Sequence, residues 1–307
     1  MGLVDGYYGA VTDDAATLAV HHALDLGITL FDTADSYGGG ESERRLGRAL
    51  AGRWDQVVLA TKFGLVTEPG SDRVVDGRPD VVRRRVTDSL TRLRTDRIDL
   101  LQLHRVDPVV PVEDTVGAMA ELVVEGKVRY LGLSEVSVEQ LVRARATHPI
   151  VSVQSEYSLF ERGVESGVLE ECAAGGSTLL AFAPLGKGLL TGKLQDLKSF
   201  DTGDLRARLP RFGGSYLRSN QVLVSLLVEL ADDLAITPAQ LALAWLLSRG
   251  DEVLPIPGST SPTHLAENAA AVEVTLPEAV LVRIQGLVEA TPVAGPRYPD
   301  NWRLPVS

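Results

Sequence analysis

With 307 residues, 45% of them apolar and 23% charged, the chain has material for a large core and the length of one α/β barrel domain. A formal net charge of −11 argues against nucleic acid or an anionic membrane as a partner. The single cysteine, Cys172, excludes an internal disulfide and suits a reducing, cytoplasmic compartment. No run approaches the ~18 apolar residues of a membrane helix, and MGLVDGYYGA lacks the marks of a signal peptide.

After nine irregular residues a helix is predicted over 12–26, followed by the first strand-like run, ITLFDTA (28–34). Further runs rich in Val, Ile and Leu lie at 57–63, 98–104, 128–134, 151–157, 178–185 and 253–258. Amphipathic stretches at 41–51, 79–94, 112–125, 137–146, 164–174, 219–235, 238–249 and 262–271 separate or follow them. Continuous apolar strands alternating with helices predict a parallel sheet covered by helices. Their number and spacing favour a single-domain (β/α)8 TIM barrel over residues 1–307; an open dinucleotide-binding sheet would want a GxGxxG turn, which no strand is followed by. The glycine-rich, charged stretch 186–218 reads as a lid over the barrel mouth or a surface insertion, and 292–307 as a C-terminal tail. Only seven strands are counted, so the barrel is expected to lack an N-terminal hairpin and first strand.

Three of these runs deliver one polar side chain near where they stop: Asp32, Lys62 and His104, with Tyr37 on the loop after Asp32. Parallel strands in a barrel all end at one mouth, so the four are expected to converge. A tyrosine alone, with a pKa near ~10, is a poor acid at neutral pH, and a buried ammonium beside it favours the phenolate. Asp32 balances that ammonium and His104 donates to a substrate oxygen, a set suited to protonating a carbonyl as it accepts hydride. Taken singly, each residue has a plainer reading: a capping Asp, a solvated Lys, a structural His. No metal site is expected.

The stretches GITLFDTADSYGGGESERRLGRAL, VVLATKFG, DRIDLLQLHRVDP, EGKVRYLGLSE, VQSEYSLFER, LAFAPLGKGLLTGK, IPGSTSPTHLAEN and GPRYP resemble the aldo-keto reductase superfamily, across nearly the whole chain. The resemblance implies a (β/α)8 barrel that reduces aldehydes or ketones with NADPH, with Tyr37 as general acid, Lys62 and Asp32 as its partners, and His104 orienting the carbonyl. It further implies that Ser134 and Gln154 hold the nicotinamide carboxamide, Phe182 stacks on its ring, and Leu185, Gly186 and Lys187 pass the pyrophosphate. Gly258, Ser259, His264, Glu267 and Asn268 fall at the adenosine end. The family's Lys or Arg after the Gly-Ser position is replaced by Thr260, which leaves NADH as an alternative to NADPH. The other function classes consistent with the resemblance are a cofactor-binding partner subunit and a truncated, catalytically impaired relative. A small-molecule carbonyl is the expected substrate, with oligomeric state open.

Overall fold

The computed structural model describes residues 2–66, 74–194, 200 and 203–299. Nine strands occur among them: β1 (Leu30–Asp32), β2 (Val58–Phe63), β3 (Leu65–Val66), β4 (Val74–Val75), β5 (Ile98–Leu103), β6 (Val128–Ser134), β7 (Ile150–Glu156), β8 (Thr178–Phe182) and β9 (Val253–Pro255). Seven form one all-parallel sheet in the order β1-β2-β5-β6-β7-β8-β9, while β3 and β4 make a small antiparallel hairpin. These seven are the seven expected from the sequence. Among the described residues β1 and β9 are not paired with each other.

The helices are α1 (Asp13–Asp25), α2 (Glu41–Ala49), α3 (Pro79–Leu93), α4 (Val112–Val124), α5 (Val138–Thr147), α6 (Val168–Gly175), α7 (Gly214–Asp233), α8 (Pro238–Leu247), α9 (Pro262–Ala269) and α10 (Glu278–Ala290). Their starts follow from side chains that accept otherwise unpaired backbone N–H groups: Thr12 at α1, Ser261 at α9, and capping boxes Ser137/Gln140 and Thr237/Gln240 at α5 and α8. Helices α1 to α5 pack in sequence, and α9 lies against both α8 and α1. Helix α9 therefore links the helices at the two ends of the sheet, where β1 and β9 do not pair with each other among the described residues.

Strand alternation separates two environments. Leu59, Leu101, Leu131, Leu133, Val153 and Leu179 belong to the main core shared with the helices. Ala60, Leu100 and Leu180 form a second, smaller cluster with Leu30, Val151 and Ile256. Two residues beyond Ala60 and Leu100 on the same face come Lys62 and Gln102, which are register partners. Polar chemistry thus sits one layer above an apolar plug.

Among its described residues the stretch 186–218 holds three 3-10 turns, Gly186–Thr191, Leu205–Arg208 and Pro210–Phe212, before α7 begins at Gly214, earlier than the predicted 219. Residues 195–199 and 201–202 of that stretch, and the tail from 300, lie outside the described residues. Helix α10 and the β3–β4 hairpin were not expected. Along α10 only Ile284 is buried, so its apolar pattern is weak.

Gly47 shows how tightly the site's scaffold packs. A Cβ there would lie 2.5 Å from the Leu93 carbonyl oxygen and 2.8 Å from its Cα, so α2 approaches the end of α3 backbone to side-chain-free backbone. Alanine's helix-propensity gain of about 1 kcal/mol is outweighed by an overpacking cost of about 1–3 kcal/mol. Gly47→Ala is therefore expected to unfold at lower urea concentration than the parent, with unchanged slope.

Candidate active site

Asp32 ends β1, Lys62 is the penultimate residue of β2, and His104 follows β5 directly. Because β1, β2 and β5 are adjacent parallel strands, all three side chains leave the sheet at one end. Tyr37 opens the 3-10 turn Tyr37–Gly40. Its Gly38, Gly39 and Gly40 have φ of 59°, 60° and 90°, and a Cβ on Gly40 would lie 2.5 Å from Arg92 Cδ. The left-handed backbone favours glycine at all three positions, and the close neighbour adds a spatial demand at Gly40.

The four residues expected to converge do so. Lys62 is fully buried, and its Nζ donates to Asp32 Oδ1 at 2.5 Å and to the Thr33 carbonyl at 2.7 Å. The same ammonium stands 5.2 Å from the centre of the Tyr37 ring. That ring meets His104 edge-on at 5.9 Å, and Ser36 Oγ lies 3.4 Å from His104 Nδ1. Burial pushes the Lys62 amine below its usual range, an effect the Asp32 carboxylate opposes. Burial also works against the Asp32 charge, but the Lys62 ammonium, helped by the Gln154 amide, outweighs it and holds the carboxyl below its ordinary value.

Several contacts were not foreseen. Asp32 Oδ2 accepts from Gln102 Nε2 and from Gln154 Nε2, each at 2.9 Å. Tyr7 meets the Tyr37 ring edge-on at 5.5 Å. Gln102 carried a signal in the sequence, since it stands two residues before His104 and is flanked on both sides by leucines.

The residues implied for cofactor binding lie along the same rim. Ser134 and Phe182 close β6 and β8, Gln154 lies on β7, and Leu185, Gly186 and Lys187 follow β8. Ser134 is buried, and its hydroxyl accepts from Arg105 Nη1 at 3.2 Å. Gly258 and Ser259 follow β9, and His264, Glu267 and Asn268 lie on α9, with His264 exposed and Asn268 buried. Lys187 does not stand alone: its Nζ donates to buried Glu156 Oε1 at 2.5 Å and lies 5.4 Å from the Tyr298 ring centre. Arg297 donates to Glu156 Oε2 and Glu135 Oε2 at 3.1 and 2.9 Å, so the tail strap is tied to the ends of β6 and β7. Two arginines of the 205–218 stretch are also engaged, Arg206 by Asp204 and Arg211 by Glu161.

On the opposite face of β2, fully buried Glu43 accepts from Thr61 Oγ1 at 2.7 Å and Arg92 Nε at 2.6 Å. Asp35 lies beside this group, between Asp32 and Tyr37. Its Oδ1 is buried without a hydrogen-bond partner, and Arg85 stands 3.9 Å from Oδ2. Burial and the neighbouring Glu43 carboxylate push the Asp35 carboxyl up to about 7, against the pull of Arg85 and Arg92.

The family model described as the Aldo/keto reductase family matches residues 1–289. Aldo-keto reductase yakc of Schizosaccharomyces pombe, whose name carries NADP(+), is 39% identical over 98% of this chain and 90% of that protein. Aldo-keto reductase str7 of Strobilurus tenacellus is 41% identical over 95% of this chain and 87% of that protein. Among solved structures, the glycerol dehydrogenase AKR11B4 from Gluconobacter oxydans superposes with a TM-score of 0.85 at 31% identity, covering 94% of this chain and 90% of that one. An aldo-keto reductase from Klebsiella pneumoniae in complex with NADPH gives 0.69 at 28% identity, covering 95% and 88%.

Asp35 has a pH consequence. Folded, it holds its proton up to about 7, whereas the unfolded carboxyl loses it near 3.8. Between those values the folded state binds more protons, so this contribution is full below the lower value and drains away as pH rises through the upper one. Asp35→Asn mimics the protonated form. Relative to the parent, its stability in urea titrations is expected to be near parity at pH 4 and to rise towards pH 8, with a ceiling of about 4 kcal/mol.

Proposed function

The chain belongs to the aldo/keto reductase family, and we propose that it reduces an aldehyde or ketone to the alcohol with NADPH, using Tyr37 as general acid. The observation that carries this reading is the contact set of Asp32, Lys62, Tyr37 and His104 at the ends of three adjacent strands. The relatives named or solved with NADP(+) or NADPH support the choice of cofactor.

The rim fits such a cofactor. Buried Ser134 and Gln154 offer hydroxyl and amide groups at the ends of β6 and β7, and the half-buried Phe182 ring stands at the end of β8. Beyond it, Gly186, Lys187 and Gly188 take φ of 56°, 57° and 97°, a left-handed run that suits close approach of backbone to a ligand. The N-terminus of α9, capped by Ser261, is suited to phosphate. When bound, NADPH supplies the hydride. The Tyr37 hydroxyl gives its proton to the carbonyl oxygen as the carbonyl carbon gains hydride, and the product is the alcohol. His104 donates to the same oxygen and fixes its position. The Lys62 ammonium stabilises the phenolate left behind, and Asp32 neutralises that buried ammonium.

Two outcomes test this reading. Tyr37→Phe removes the transferable proton without removing the ring, so kcat for a test aldehyde should fall by about 10²–10⁴-fold. NADPH should still quench tryptophan fluorescence with an unchanged Kd; equal rates in parent and variant would sink the assignment. At the adenosine end no Lys or Arg occurs from Ser259 to Asn268, so a 2′-phosphate lacks a charge-assisted partner there. The ratio of NADH to NADPH dissociation constants is expected to be small, and Thr260→Arg should raise it by about 10-fold.

A further inference from the structure

Asp32 has two oxygens, and the structure divides them. Oδ1 belongs to Lys62, while Oδ2 is shared by the amides of Gln102 and Gln154 at equal distance, 2.9 Å. The two amides also touch each other, Gln154 Nε2 donating to Gln102 Oε1 at 3.3 Å. In the reductase reading Gln154 has a second claim on it, because the nicotinamide carboxamide needs the same amide. Gln102 has no such claim. It is fully buried and register-paired with Lys62 on one side and Gly132 on the other.

Gly132 gives Gln102 its room. A Cβ there would lie 3.0 Å from Gln102 Cγ and 2.3 Å from Ser152 Oγ, so any larger residue displaces the glutamine stem. The layer beneath is apolar, made by Ala60, Leu100 and Leu180. A primary amide in that place is costly unless its donors and acceptor are used. Here its donor meets the carboxylate and its acceptor meets Gln154.

We propose that Gln102 is a positioning residue for the acid–base chemistry, holding the Asp32 carboxylate against Lys62 while Gln154 turns to the cofactor. The assignment rests on the reductase reading. Gln102 touches neither substrate nor cofactor; it acts through Asp32. Donation to Oδ2 favours the charged carboxylate, so removing it makes Asp32 easier to protonate and weakens its hold on Lys62. Gln154 and Gln102 therefore divide the work, one on the cofactor and the other on the ion pair.

The experiment uses the full chain with NADPH and 4-nitrobenzaldehyde as probe, and follows Kd by tryptophan quenching and kcat against pH. Gln102→Met, close in shape but without an amide, should keep the NADPH Kd within about twofold and lower kcat by about 10-fold. The acid limb of its kcat profile should move up by about one pH unit. Gln154→Met should instead weaken NADPH binding by about 10-fold and move the acid limb less. An unchanged kcat profile in Gln102→Met overturns the proposal. So does a fall in kcat and affinity together with the acid limb in place, the pattern of a structural role. If Gln102→Met does not fold, Gln102→Asn, which withdraws the amide by one methylene, must show the same displaced limb or the proposal fails. Failure of the reductase reading is distinguishable, since parent and Tyr37→Phe would then turn over the aldehyde equally.

Discussion

The buried pair of Lys62 and Asp32 is the constraint from which the rest of the site follows. An ammonium with no exposure to water costs several kcal/mol unless its charge and its donors are met, and breaking such a pair costs about 3–5 kcal/mol. Meeting them requires Asp32 and the Thr33 carbonyl within reach, so β1 must lie beside β2 with Asp32 opposite Ala60 and Lys62 one pleat further on. The carboxylate then brings its own demand. Its second oxygen is satisfied by amides from β5 and β7, so one ion pair specifies the relative placement of four strands. Tyr37 enters last, through a glycine turn that sets its ring beside the ammonium.

Both faces of the first strands carry charge, and the two faces are handled differently. Inside, a single pair is neutralised and its remaining lone pairs are filled by neutral amides. Outside, under α2 and α3, Glu43 is neutralised by Arg92 and satisfied by Thr61, while Asp35 has Arg85 no nearer than 3.9 Å and keeps Oδ1 without a hydrogen-bond partner. The difference is one of geometry. Arg92 reaches Glu43 because Gly40 and Gly47 leave α2 close to α3, and no comparable approach serves Asp35. The segment between Asp32 and Tyr37 therefore carries a neutralised acid at its start and an imperfectly satisfied one in its middle.

What the sequence made legible was local. Seven apolar runs mark the parallel strands, three of them carry Asp32, Lys62 and His104 near where they stop, and parallel strand direction places those side chains at one end. The helices predicted at 12–26, 137–146, 238–249 and 262–271 were found within a residue or two of their expected starts, where Thr12, Ser137, Thr237 and Ser261 cap them. The weakly amphipathic α10 was not, because a helix burying one residue leaves little periodic trace. Nor was the amide clamp on Asp32, whose partners stand 70 and 122 positions away. A glutamine in an apolar strand announces that something polar faces it, without saying what. The Glu156 partner of Lys187 was hidden for the same reason, since it depends on how β7 meets the turn after β8.

That last pair bears on how an anionic cofactor enters a site already rich in carboxylates. A phosphate approaching Lys187 meets an ammonium that Glu156 holds, and taking it away would leave a buried carboxylate uncompensated, a change that costs several kcal/mol. The tail supplies further partners for that carboxylate. Arg297 already donates to Glu156 Oε2 and Glu135, and the Tyr298 hydroxyl stands 3.4 Å from the same Glu156 oxygen. Against the cost of burial, Lys187 and Arg297 together thus maintain the charge on Glu156 and hold its carboxyl below the ordinary value. In the reductase reading, the strap formed by residues 297–298 is then a condition for Lys187 to change partner, and its role is electrostatic before it is steric.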